Sequence, residues 1–462
     1  MIHLLLHRRP LLPAVAIALL ASGGGAGCSS DSNHPSHPLT NIAWDWTGIV
    51  GTGQSLSVGA FGTPILATQQ PYNNMKLSFG GATVAPPFDP TLASLELVPL
   101  TEPLRATATF YPSAYPANLD GETPHTAMSE QLSAMAMQAA MRDLVSVHTV
   151  VGESGQPLSV IQKVPTNIPA DTANSTMGRA YAATLFEATA IKRLADTAGK
   201  SYGIGAIVLT HGESDAGNGG YAAGIYQLLT DYNTDLAAIT GQTAKIPMLV
   251  SQQNSVPADP GQVSISALQV LKAATDHPGE IVCTGPKYQY SYATDPMHVH
   301  MGALEYEKLG EKTAQVYFER VVLGHDWKPL QPISATVSGK VVTVQFHVPV
   351  PPLAWDDTLP SPHATNIPEW TNGRGFEVLW ASNRKTIDSV EIVGANTVQI
   401  TCHDDLSNGE VIVGYAATAD GGTPPTAQTA RWGHLRDSDP FVGSVTTVAQ
   451  PNYCVAFQMT ID

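Results

Sequence analysis

Between residues 147 and 323 short apolar runs alternate with amphipathic segments, and this rhythm restricts the possible folds more than any other feature of the chain. Val147–Val151, Ile204–Leu209, Pro247–Ser251 and Glu280–Cys283 read as strands. Helices are predicted over about 177–198, 222–239, 264–277 and 303–323, with Gly199 and Gly241 closing the first two. One more helix is predicted over about 127–145, where Leu132, Met135, Met137, Ala140, Met141 and Leu144 recur at helical spacing as a core-packing stripe. Strands joined by helices of this length build a parallel sheet covered on both faces. In such sheets ligands gather beyond the carboxyl ends of the strands, so the residues after each strand are the ones to examine.

The first strand end is the most suggestive. Gly48-Ile49-Val50 runs into Gly51-Thr52-Gly53-Gln54-Ser55-Leu56-Ser57-Val58-Gly59, a serine set among glycines. A serine hydroxyl becomes a nucleophile only on an exposed turn, beside a base and near backbone N–H groups. The other strand ends carry Gly152-Glu153-Ser154-Gly155, then Thr210-His211-Gly212-Glu213-Ser214-Asp215, and after Cys283 the segment Asp295-Pro296-Met297-His298. A carboxylate three residues before an imidazole can fix its tautomer and stabilise its charged form, which makes Asp295 and His298 the expected partners of Ser55, with His300 the rival histidine. Bland roles stand beside these: Ser55 as a turn residue, His298 as a surface histidine, and Glu213 and Asp215 as charges complementing a helix N-terminus. A metal held by Asp295, His298 and His300 is the other alternative, although no matching second carboxylate accompanies them. No CxxC occurs, which argues against structural zinc.

The amino terminus reads as a targeting segment. Arg8-Arg9, an apolar run from Leu11 to Ala21 and the small residues before Cys28 predict an export signal over 1–27, too short to span a membrane. Its end resembles the bacterial lipoprotein pattern, with Gly25 departing from the usual leucine, so the expectation is a lipid on Cys28 or plain secretion. Residues 28–40 are then a flexible tether, 41–325 the catalytic domain and 326–462 an accessory domain. Removing Arg8 and Arg9 with the signal shifts the formal charge from −16 to −18, which disfavours nucleic acid and anionic polymers as partners and fits a neutral substrate. The only membrane contact expected is through that lipid. Of the four cysteines, Cys402 and Cys454 are the expected disulfide in an oxidising compartment, and Cys283 a buried apolar filler.

With these blocks in view, the chain resembles the SGNH or GDSL-type hydrolases, and among them the sialate O-acetylesterase-like carbohydrate esterases. Gly53-Gln54-Ser55-Leu56 looks like their nucleophile block, Thr210 to Asp215 like their Gln-Gly-Glu-Ser block and Asp295 to His298 like their closing Asp-x-x-His block, over about residues 46–323. The resemblance implies a flavodoxin-like three-layer α/β/α domain that uses no cofactor or metal. It implies Ser55 as nucleophile, His298 as general base and Asp295 as its orienting acid. It also implies an oxyanion hole made from the Ser55 N–H, a glycine N–H from Gly152 or Gly155, and a side-chain donor. Histidine stands at 211 where the family has glutamine, so neutral His211 is the expected third donor, with Gln54 and Glu213 as supporting residues.

Residues 61–125 are rich in Pro, Gly and polar residues and are expected to form an extended insertion with a short strand or two over one rim. Beyond Leu323 the helical period stops. A hairpin about Ser338-Gly339-Lys340 and strand-like runs at Phe376–Trp380, Val390–Thr401, Val411–Tyr415 and Tyr453–Met459 predict a C-terminal β-sandwich. Its role is packing or, alternatively, glycan binding on Trp355, Trp370 and Trp432. The expected function is an exported serine esterase that removes acetyl or other short acyl groups from carbohydrate. The alternatives are a lipase or thioesterase with the same triad, or a surface glycan-binding protein whose esterase site has degraded.

Overall fold

The computed structural model describes residues 44–80, 84, 86–104, 121–139, 143–164, 177–421 and 429–461. Residues 1–43, which include the expected export signal, Cys28 and the expected tether, lie outside the described residues. In chain order the first part comprises β1 (Trp46–Gly53), β2 (Met75–Ser78), β3 (Glu96–Pro99), α1 (Pro124–Gln138), β4 (Ser146–Gly152) and the short α2 (Leu158–Ile161). It continues with α3 (Arg179–Thr197), β5 (Tyr202–Thr210), α4 (Tyr221–Thr240), β6 (Met248–Gln252), α5 (Ile265–Asp276), β7 (Ile281–Pro286) and α6 (Ala303–Tyr317). The strands form one seven-stranded sheet in the order β3-β2-β4-β1-β5-β6-β7, parallel except for β3. The sheet is apolar on both sides because each face is covered: Val50, Val147, Ile207 and Leu209 pack with α3, α4 and α5, while Ile49, Ala206, Val208 and Leu249 pack with α1 and α6. The insertion after Ser55 supplies β2 and β3, which extend this sheet beyond β4.

What places the site is the strand order. β1 lies between β4 and β5, with Gly53 in register with Gly152 on one side and Thr210 on the other. Three of the loops singled out in the sequence therefore leave the sheet side by side.

The second part is β-rich: β8 (Gln331–Ser338), β9 (Val341–His347), β10 (Ala354–Trp355), β11 (Phe376–Trp380), β12 (Asn383–Arg384), β13 (Ile387–Gly394), β14 (Thr397–Cys402), β15 (Val411–Tyr415), β16 (Leu435–Arg436) and β17 (Phe457–Ile461). Two four-stranded antiparallel sheets, β12-β11-β15-β17 and β13-β14-β9-β8, share a core that includes Val344, Phe346, Val378, Ile400, Val413 and Phe457. The run read as a single strand over 390–401 is two strands, β13 and β14, paired antiparallel, with Gly394 opposite Thr397. The expected disulfide is absent, since Cys402 and Cys454 are both free and buried. Cys402 closes β14 while Cys454 bonds Leu435 of β16 through its backbone, and both serve as apolar filler in the shared core. Burial pushes the Cys402 thiol up to about 11 and the Cys283 thiol to about 12. Two of the three candidate glycan platforms are core residues: Trp370 and Trp432 are buried, and Trp355 is half-buried with Arg374 stacked on it at 4.9 Å.

The β-rich part is sewn to the parallel sheet by buried polar groups. Gln252 exchanges hydrogen bonds with the Ala456 backbone, at 2.9 Å from Nε2 to O and 2.8 Å from N to Oε1. Glu311 of α6 accepts from Val445 N, Thr446 N and Gln450 Nε2. The guanidinium of buried Arg431 donates to the carbonyls of Asn254, Val256 and Pro257, and so holds the loop that follows β6.

Beneath the sheet lies a chain of polar groups with a consequence for stability. Ser146 Oγ donates to Asn74 Oδ1 at 2.9 Å, so His148 Nε2–H donates to that hydroxyl at 3.0 Å and its Nδ1 accepts from His125 Nδ1–H at 2.9 Å. Both imidazoles are neutral in this scheme. Burial lowers His125 to about 3, and burial together with the neighbouring His125 holds His148 well below its ordinary range. A folded pKa below the unfolded value of about 6.5 gives stability that is complete above that pH and is lost as pH falls towards the folded value. His125 alone is expected to cost about 2 kcal/mol of stability between pH 6.5 and pH 5, and His148 adds to this. Urea unfolding at pH 7.5 and pH 5 checks it, and His125→Gln should flatten the decline.

Candidate active site

Ser55 opens a 3-10 turn, Ser55–Ser57, separated from the end of β1 by Gln54 alone. The turn is possible because Gly53 has φ +146 and a β-carbon there would strike Thr210 O on the adjacent strand. The Ser57 hydroxyl and N–H both bond Gln54 O, at 2.7 and 2.8 Å, and Ala60 N–H closes on Ser55 O at 3.1 Å. Beneath the turn, Leu56 sits among Tyr290, Tyr292, Met301, Tyr306 and Leu309, and Tyr306 donates to Ala60 O at 2.7 Å. This apolar cluster joins the Ser55 turn to the chain that carries Asp295.

The imidazole that reaches Ser55 belongs to His300. Its Nε2 lies 2.8 Å from Ser55 Oγ, and its Nδ1 lies 2.8 Å from Asp295 Oδ2. Because a carboxylate only accepts, Nδ1 carries the proton and the Nε2 lone pair faces the serine hydroxyl. Asp295 is buried and also accepts from Met297 N, Val299 N and His300 N at 2.9, 3.1 and 3.0 Å. Burial pushes its carboxyl up, but the bonds from Met297 N, the His300 ring, His300 N and Val299 N outweigh this and hold it below the usual carboxylate range.

The expectation that His298 would be the base is therefore corrected. His298 N–H bonds Asp295 O at 2.9 Å, closing a turn in which His298 has φ 53, and its Nδ1 is buried without a partner. The chain then wraps around the Asp295 carboxylate, so the side chain two residues later meets it.

His211 is also corrected. It is fully buried, its Nε2–H donates to Gln156 O at 3.0 Å and its Nδ1 accepts from Tyr221 OH at 2.9 Å, so no ring N–H is left for an oxyanion. Burial lowers its pKa, which agrees with a neutral ring. The two candidate glycines part company. A β-carbon on Gly152 would come within 2.6 Å of Gly53 O and of Ser57 Oγ, so its backbone lies against the Ser55 turn. Gly155 stands in open space. Among the described residues the Ser55 N–H has no hydrogen-bond acceptor.

Gln54 and Glu213 tie the loops together. Gln54 Oε1 accepts from Ser214 N at 3.2 Å, Asp215 Oδ2 accepts from Leu158 N at 2.6 Å, and Glu213 Oε1 pairs with Lys287 Nζ at 2.8 Å just beyond β7. Glu153, next to Gly152, pairs with Arg179 at the start of α3, at 2.6 and 2.9 Å.

Sequence reading had passed over Lys287 and Phe61. Lys287 could have been noticed as a lone cation directly after an apolar strand. Phe61 could have been noticed as a bulky residue between Gly59-Ala60 and Gly62. Its ring stacks on His300 with centroids 4.9 Å apart and planes 12° apart, while its backbone has φ 63. A bulky side chain in that region is strained by on the order of 1–3 kcal/mol.

A hydroxyl, an imidazole and a carboxylate linked in series can carry out nucleophilic acyl transfer, and they stand at the carboxyl end of a parallel sheet. The class so defined is an α/β chain that carries a serine, a histidine and an aspartate hydrogen-bonded in series at the end of its parallel sheet. The chain shares its fold with a carbohydrate acetylesterase from Xanthomonas citri, at 12% identity and TM-score 0.53, over 89% of this chain and 80% of that one. That coverage extends into the β-rich part. It is also similar to a protein from Arabidopsis thaliana (14% identity, TM-score 0.41, 62% and 100% of the two chains) and to NanS (9%, TM-score 0.37, 61% and 98%). No protein-family model and no curated protein matches the sequence.

Proposed function

We propose that the chain is an exported serine esterase that removes acetyl groups from carbohydrate, built as an SGNH-type three-layer domain with a C-terminal β-sandwich. The observation that carries this reading is the unbroken series Ser55 Oγ, His300 and Asp295, each link 2.8 Å long. Ser55 attacks the acetyl carbonyl while His300 Nε2 takes its proton and Asp295 stabilises the imidazolium. The Ser55 N–H and a glycine N–H, from Gly152 or Gly155, receive the developing oxyanion. The tetrahedral species collapses by breaking the bond to the sugar oxygen, which His300 protonates. Water, activated by the same imidazole, then hydrolyses the acetyl-enzyme and frees acetate. An assembled relay favours this over the degraded glycan-binding reading.

The acetylesterase in the fold comparison supports carbohydrate as the substrate class, and the acidic chain supports a neutral one. Export by residues 1–27 and anchoring through a lipid on Cys28 belong to the same proposal. Acetate release from acetylated xylan, sialate and pectin tests it, with acetyl, butyryl and longer p-nitrophenyl esters compared alongside. Acetyl esters are expected to be turned over fastest. A preference for long chains would replace this reading with a lipolytic one.

A further inference from the structure

We propose that Phe61 is the platform on which the sugar ring bearing the scissile ester rests, and that a neutral pyranoside is therefore the alcohol part of the substrate. The inference deepens the esterase reading and rests on it. The acyl carbon must lie at Ser55 Oγ, and the leaving oxygen must lie where His300 Nε2 can protonate it. Phe61 stacks on that imidazole at 4.9 Å with planes 12° apart, so the group beside it is the alcohol, not the acyl chain.

Phe61 is 48% exposed even though its neighbours in the turn, Ala60 and Gly62, are buried. A pyranose presents a face of C–H groups that suits such an aromatic surface, and Phe61 has no charge to favour an acidic sugar. The platform is also rigid. Gly62 N–H bonds Gly59 O at 3.0 Å, Gly62 O accepts from Glu122 N at 2.7 Å, and Glu122 Oε2 accepts from Leu66 N and Ala67 N at 2.6 and 3.1 Å. A glycine at position 61 would relieve the positive φ, and the sequence keeps a phenylalanine there.

Two measurements test this. First, an acetylated methyl xyloside is titrated by calorimetry into Ser55→Ala and into the double variant Ser55→Ala/Phe61→Leu. Loss of the aromatic face is expected to weaken binding roughly tenfold. Second, kcat/KM is compared for the xyloside ester and for ethyl acetate, which has no ring, in wild type, Phe61→Leu and Phe61→Trp. Phe61→Leu should lose about ten times more on the xyloside than on ethyl acetate, mainly through KM, and Phe61→Trp should keep the xyloside preference. Equal losses on both esters, or unchanged binding in the double variant, would overturn the platform. If wild type cleaved neither ester while Phe61→Leu still weakened binding, the platform would stand and the esterase reading would fall.

Discussion

His300→Ala is expected to lower kcat by roughly 10⁴–10⁶-fold, while His298→Ala stays within a few-fold of wild type. The size follows from the proposed role: without an imidazole at Ser55 the hydroxyl has no base for its attack on the ester. Ser55→Ala should lose a similar amount, and His300→Ala/Ser55→Ala little more than either alone, because members of one relay fail together. Asp295→Asn should cost about 10⁴-fold, since an amide in place of the carboxylate favours the wrong tautomer of His300. Steady-state kinetics on a p-nitrophenyl acetate substrate decide the matter. Survival of activity in His300→Ala together with its loss in His298→Ala would reverse the assignment.

The second large effect concerns stability. Lys287 and Glu213 form an ion pair in which the lysine side chain is 0% and the glutamate 3% exposed, and Glu213 Oε2 has no hydrogen-bond partner. Removing one member leaves a charge with neither water nor counterion, so Lys287→Met is expected to destabilise the fold by about 3–5 kcal/mol. Replacing both, as Lys287→Met/Glu213→Gln, should recover much of this, because no uncompensated charge is then buried. Urea unfolding of the three variants at pH 7.5 gives the comparison. A cost below about 1 kcal/mol for Lys287→Met would mean that the pair is solvated. The pair also links the loop carrying Glu213 to the strand end before Asp295, so the single variant should lose activity as well.

Much of the architecture was legible because periodicity is a local property. The predicted helix over 222–239 is α4 at Tyr221–Thr240, and the predicted strand over 204–209 is β5 at Tyr202–Thr210, each within two residues. These elements announce themselves through the faces they bury. The run at 390–401 misled because a tight turn between two apolar strands occupies only a few residues, with Gly394 and Asn396 as its signals.

The site divides in the same way. Ser55 and Asp295 drew notice in the sequence through their positions beyond strand ends, whereas Gly152 and Gly155 stood there as equals. The choice between His298 and His300 depends on φ at His298 and on three backbone N–H groups folding over one carboxylate. Residue spacing carries neither quantity. His211 occupies the motif position of a donor, yet Gln156 and Tyr221, 55 and 10 residues away in the chain, have taken both of its nitrogens. Cys402 and Cys454 share a region of sequence without sharing a bond.

From the chain alone came the elements, their alternation and the serine placed where a parallel sheet puts its ligands, because burial period and glycine content act over a few residues at a time. Only the folded molecule decided which histidine bonds that serine, which glycine lies against its turn and which aromatic ring stacks on the imidazole. Hydrogen bonds have lengths of about 3 Å and definite directions, and groups hundreds of residues apart satisfy them only once the sheet has set the distances between them.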